Sequence, residues 1–143
     1  MARIKIDLPG HFIFSTTIPV RITDLNYGGH VGNDTILSII HEVRMQFLNY
    51  FGYKELNMEG VGLIMSDVGI EFKNELFYGD VIIASVVAAE FSKVAFDLFY
   101  KLEKKTENKN VLVANAKTGM VCYDYEKKKI VAVPGKVKQK LMI

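Results

Sequence analysis

Hydrophobic positions recur along this chain with two periods, and the change from one to the other divides it into elements. Residues from Phe12 to Ile22 are rich in Ile, Val, Phe and Thr, which predicts a strand. Pro19 places that strand at a sheet edge or a bulge, because proline donates nothing to a ladder. From Asp34 to Phe51 the apolar residues Ile36, Leu37, Ile39, Ile40, Val43, Met45, Phe47 and Leu48 fill more than one helical stripe. They predict a helix buried on most sides and stopped at Gly52. Beyond Gly62 the period falls to two. Val68, Ile70 and Phe72 alternate with Asp67, Gly69 and Glu71, and Gly79-Asp80 turns the chain into an apolar run from Val81 to Phe91. Val94 to Leu102 alternates again, and Thr106 to Asn110 forms the next turn. Val111 to Asp124 then carries Ala114 and Ala116 on one face, small enough for a helix to approach, and a last short strand, Ile130 to Val133, ends at Pro134-Gly135. One buried helix followed by four or five antiparallel strands predicts an α+β domain whose curved sheet of five or six strands wraps that helix.

With 143 residues, half of them hydrophobic, the chain reads as a single domain over 1–143 that builds a core without disulfides. Eighteen basic and 16 acidic residues leave a formal charge of +2, which argues against binding nucleic acid through phosphates. Lys127 to Lys129, and Lys136, Lys138 and Lys140, read as a solvated turn and a solvated terminus. The single cysteine, Cys122, falls in an apolar strand pattern and reads as a buried structural thiol in a reducing, cytoplasmic setting. The first ten residues lack the apolar core of a signal peptide, and the run Val81 to Ala89 falls far short of the ~20 residues a membrane-spanning helix needs. The three histidines and the cysteine lack zinc-ligand spacing, so no metal site is expected.

Chemistry concentrates between Thr23 and Arg44. Asp24, Asn26, His30 and Asn33 crowd a glycine-rich turn, and Glu42 follows on the helix, on the same face as Asp34 and Ser38. Gly28, Gly29 and Gly32 let backbone come close to a ligand, while the amides of Asn33 and Asp34 at the helix start can polarise a carbonyl. The same two side chains are also candidates simply to cap the helix. Their glycine spacing is not that of a phosphate-binding loop. Glu42 on a buried helix reads as a general base or as one arm of a salt bridge. His30 reads either as a functional group or as a loop strut, and His11 and His41 read as scaffold. Asp67, opposite Val68 and Ile70, reads as exposed or facing a second subunit.

The Asp24-x-Asn26-x-x-Gly29-His30-Val31-x-Asn33 loop, Glu42 with Arg44 two residues later, and the Phe72 to Gly79-Asp80-Val81 spacing resemble the acyl-CoA thioesterases of the hotdog superfamily. The resemblance is to the 4-hydroxybenzoyl-CoA and plant acyl-carrier-protein branches, and it covers nearly the whole chain. It implies hydrolysis of an acyl-CoA or acyl-carrier-protein thioester, with coenzyme A as part of the substrate and no separate cofactor, in a homodimer or homotetramer. In that family the position of Asn26 is usually an aspartate that attacks the thioester or activates water. Asn26 can do neither, although it can orient water or the carbonyl. The resemblance therefore implies Glu42 as base, Asn26 and His30 as orienting groups, Asn33 and Asp34 as the polarising amides, Asp24 as a brace, and Gly29, Ser92 and Lys93 against the substrate. Two alternatives stand beside it. One is an enoyl-CoA hydratase-like enzyme, whose Asp-x-Asn-Pro-x-His pattern is one residue narrower than the Asn26 to His30 spacing; the other is a non-catalytic acyl-CoA-binding module.

Overall fold

In the computed structural model, which describes residues 1–142, the chain forms β1 (Phe14–Pro19), a 3-10 turn (Ile22–Asp24) and α1 (Asn33–Tyr50). There follow β2 (Gly62–Phe72), β3 (Val81–Ala89), β4 (Ala95–Lys105), β5 (Asn110–Asp124), β6 (Lys129–Ile130) and α2 (Gly135–Leu141). The strands pair antiparallel in the order β1-β3-β4-β5-β2, with β6 on β5. One face of this sheet carries α1, the hotdog arrangement the sequence implies. Among the described residues no helix is long and apolar enough to cross a membrane.

Alternation builds the inner face. Ile82, Ala84 and Val86 of β3, Phe96, Leu98, Tyr100 and Leu102 of β4, and Ala114, Ala116, Met120 and Cys122 of β5 are all buried. The small side chains at 84, 114 and 116 make room for Ile36, Ile39, Ile40, Val43 and Phe47 of α1, which recur at the spacing of one helix face. Each large side chain buried there stabilises the fold by roughly 1.5–3 kcal/mol. Burial also pushes the Cys122 thiol up to about 11, as suits an inert structural cysteine.

Three features depart from the pattern. The helix is not buried on most sides, because the sheet covers only one of its faces: Leu37, Ser38, His41, Glu42 and Met45 are exposed. The first strand spans only Phe14–Pro19, since the chain after Val20 closes into the 3-10 turn, although Pro19 does end an edge strand. In the tail Lys136 and Lys138 are exposed, as expected, but the segment packs against the core. After Pro134 it forms α2, whose Val137 and Leu141 are fully buried, while Lys140 reaches the Phe51 carbonyl at 3.3 Å and lies 4.9 Å over the Tyr53 ring. Lys127 to Lys129 are exposed, as expected.

Arg44 is a buried cation that apolar periodicity does not foretell. Its Nε lies 3.4 Å from Glu55, which also pairs with His41 at 2.7 Å. On the sheet below, the hydroxyls of Tyr100 and Thr118 bond each other at 2.8 Å.

Candidate active site

Two loops meet at the start of α1. In the first, the Asn26 amide donates to the His30 carbonyl at 2.8 Å and the Gly29 amide to the Asn26 carbonyl at 3.1 Å. This tight turn needs Gly29 at φ +84. Asp24 braces its entry, buried, with the Arg21 amide at 2.8 Å and the Arg21 guanidinium at 3.2 Å on its carboxylate. The second loop, residues 72–80, docks on the first through the Val31 amide, which donates to the Leu76 carbonyl at 2.9 Å, and through a bridge between His30 and Phe77. Lys104 staples this loop by donating to the Glu75 carbonyl at 2.7 Å and to the Asp80 carboxylate at 3.4 Å.

The loops bring Asn26 and His30 together. A Cβ added at Gly28 would lie 3.1 Å from Asn26 Oδ1 and 3.6 Å from His30 Nε2, so the two side chains border one gap that a larger residue would crowd. Half-buried His30 borders a cleft of about 360 Å³ with Asn33, Ile36, Phe72, Glu75 and Val113. Gly32 precedes the helix as its N-cap, and no side chain caps the first turn. Gly32 also presents its carbonyl to the amides of Thr35 and Ile36, each at 3.1 Å. Neither Asn33 nor Asp34 is therefore the cap, and the amides of Asn33 and Asp34 remain available at the end of the helix dipole that favours negative charge.

The structure does not bring Glu42 to this cleft. Glu42 is exposed and lines a second cleft of about 360 Å³ between α1 and β1, with Thr17, Arg21, Asp24, Ser38 and Gln46. There it accepts a hydrogen bond from Gln46 Nε2 at 2.9 Å, and Gln46 Oε1 in turn accepts one from Thr16 at 2.5 Å. Within one chain Glu42 thus lacks the burial that would raise its basicity. Ser92 and Lys93 are also remote from His30 within one chain. They occupy the turn after β3, whose nine residues span about 30 Å from the end beside the 72–80 loop. In that turn the Ser92 hydroxyl accepts the Ala95 amide at 3.1 Å, and the Lys93 carbonyl accepts the Val133 amide at 2.8 Å.

His41 is scaffold, as expected. Asp67 is exposed on the outer sheet face, and its bond to Lys117 at 2.5 Å holds its carboxyl below the usual range. One site residue escapes sequence reasoning: the Glu75 carboxylate stands 3.9 Å from His30 Nε2. Nothing in the spacing of Glu75 and His30 announces this, because only the pairing of the two loops joins them.

The family model of the thioesterase-like superfamily matches residues 20–141. No curated protein matches the chain. Among solved structures, a 1,4-dihydroxy-2-naphthoyl-CoA thioesterase from Synechocystis is similar with a TM-score of 0.78 at 20% identity, over 90% of this chain and 94% of that one. A 4-hydroxybenzoyl-CoA thioesterase variant with one aspartate changed to asparagine, complexed with 4-hydroxybenzoyl-CoA, gives 0.79 at 16% identity, over 90% and 97%. A hypothetical protein from Aquifex aeolicus gives 0.79 at 26% identity, over 90% and 99%.

Proposed function

The chain belongs to the thioesterase-like superfamily, and from that premise we propose that it is an acyl-CoA thioesterase, splitting a thioester and water into a free acid and a thiol. The observation that carries this reading is that Asn26 and His30 meet across Gly28, Asn26 also lies beside Gly32 at the start of α1, which no side chain caps, and His30 and Asn33 line one cleft. The first-turn amides of Asn33 and Asp34 stabilise the oxyanion that forms when water adds to the carbonyl. The Asn26 carboxamide orients the water or the carbonyl, and Gly29 keeps side chains away from the thioester. Glu42 lines the neighbouring cleft, and we give it no step in the reaction.

The working unit in this proposal is a homodimer joined along β2. That strand is an eleven-residue edge with Ile64, Met65, Val68 and Phe72 exposed beside Leu37 and Met45 of α1, an apolar strip that a lone chain leaves open. Antiparallel pairing of two such edges sets the His30 end of one chain beside the Lys93 end of the other. Ser92 and Lys93 would then meet the coenzyme A of the partner site. The buried, inert Cys122 suits the cytoplasm proposed for it.

A second reading, a non-catalytic acyl-CoA-binding module, is favoured by one observation, the asparagine at position 26 where the family carries its carboxylate. Incubation with a panel of acyl-CoAs and crotonyl-CoA decides between them. Thiol release is the expected result. Thermal stabilisation without turnover supports binding alone, and loss of the enoyl absorbance without thiol supports hydration. In the same assay Glu42→Gln should keep its rate within about two-fold; a collapse would restore Glu42 as the base.

A further inference from the structure

We propose that Glu75 is a positioning residue for His30, and that the pair supplies the proton acceptor that Asn26 cannot. The inference rests on the thioesterase reading for its chemistry and on the loop geometry for its residues. His30 Nδ1 lies 3.2 Å from the Val31 carbonyl oxygen, which only accepts; in this proposal Nδ1 donates to it and the lone pair sits on Nε2. Nε2 is the nitrogen that borders the Gly28 gap and faces Glu75 at 3.9 Å.

Neighbouring charges leave this carboxylate to the imidazole. Lys104 is held by the Glu75 backbone carbonyl and by Asp80, and Lys73 pairs with Glu71 at 3.1 Å. Asp80 is itself occupied by Lys104 and by the Phe77 amide at 2.9 Å. Phe77 lies across the other side of the imidazole, its ring centroid 6.5 Å away and nearly perpendicular, which limits the tilt of the ring.

The proton inventory closes without any further reagent. His30 Nε2 takes a proton from the attacking water as its oxygen bonds the carbonyl carbon, and Glu75 stabilises the imidazolium that forms. Collapse of the tetrahedral intermediate breaks the carbon–sulfur bond. The imidazolium returns its proton to the departing thiolate, leaving the acid and neutral His30.

Glu75 is exposed in its loop, so substitution there spares the core. On the best substrate of the panel, Glu75→Gln should lower kcat by about 10²-fold, the low end of general-base effects, with KM within about two-fold. Glu75→Asp should recover most of that loss, and His30→Gln should lose at least as much as Glu75→Gln. Unchanged kcat in Glu75→Gln overturns the proposal. Nitrogen-15 NMR of histidine-labelled protein gives a readout independent of turnover: the Nδ1–H tautomer of His30 is expected, and an Nε2–H tautomer overturns the pair. If no acyl-CoA yields thiol while the Nδ1–H tautomer is found, the thioesterase reading fails and the His30 geometry survives it.

Discussion

Asn26 turns its side-chain oxygen back onto its own loop, accepting the Gly28 amide at 2.8 Å, and leaves its NH2 group beside Gly32 at the foot of α1. One oxygen suffices for that turn. An aspartate at this position would keep the Gly28 bond and set a second, anionic oxygen where the NH2 now lies, close to Asp34, whose like charge raises its basicity. Asn26→Asp should therefore raise thiol release by about ten-fold or more, on the scale of general-base catalysis. A fall in rate with the fold intact would show that the NH2 group is itself needed at the carbonyl.

Val68, near the middle of the free β2 edge, is exposed in the single chain. A lysine at this position would place a charge inside the proposed dimer contact, so Val68→Lys should shift the mass seen by light scattering from twice that of one chain to that of one. Turnover should fall with it, because Ser92 and Lys93 of a partner would no longer flank the site. Parent protein that scatters as a monomer at micromolar concentration would remove the shared-site arrangement.

Removing the buried cation should cost more than removing an exposed one. Arg44→Ala leaves Glu55 with His41 as its remaining partner, and denaturant unfolding should show a loss of about 3 kcal/mol. Combining Arg44→Met with Glu55→Gln should be milder than the sum of the single changes, since each single change strands the other's charge and the double removes both charges of the pair. Additive losses would mean that the two residues act separately.

Two buried groups should weaken the fold on the alkaline side. Burial pushes Cys122 from 9.0 up to about 11, and burial, with help from Glu59, pushes Tyr53 from 10.0 up to about 12. Both are neutral when protonated, so their contribution is fully present below the ordinary values and is lost as pH rises, between 9 and 11 for the thiol. Denaturation midpoints should fall across that window, and less so in Cys122→Ala. Native protein at pH 8 should leave Cys122 unmodified by thiol reagents; rapid labelling would contradict its burial.

Local pattern determined much of this protein. Alternation from Val68 to Asp124 reflects a sheet with one dry face, and the stop of α1 near Gly52 follows from the need for a positive φ there, +83. Cys122 as a buried thiol was legible because it falls on the apolar alternation of β5, whereas Asp24 as a brace came with the family resemblance, its partner Arg21 standing three residues before it. The extent of helix burial was not legible, because apolar residues such as Leu37 and Met45 count alike in sequence whether they meet the sheet or a second chain. Helix α2 was hidden by its lysines, since only Val137 and Leu141 mark its buried side. Glu42 and His30 look like partners at twelve residues' separation, yet α1 carries Glu42 round to the β1 side. Glu75, forty-five residues beyond His30, is brought to it because β2 ends where the Val31 amide finds the Leu76 carbonyl. Residue type set which groups were able to do chemistry, whereas the pairing of two loops across the sheet end decided which of them share a cleft.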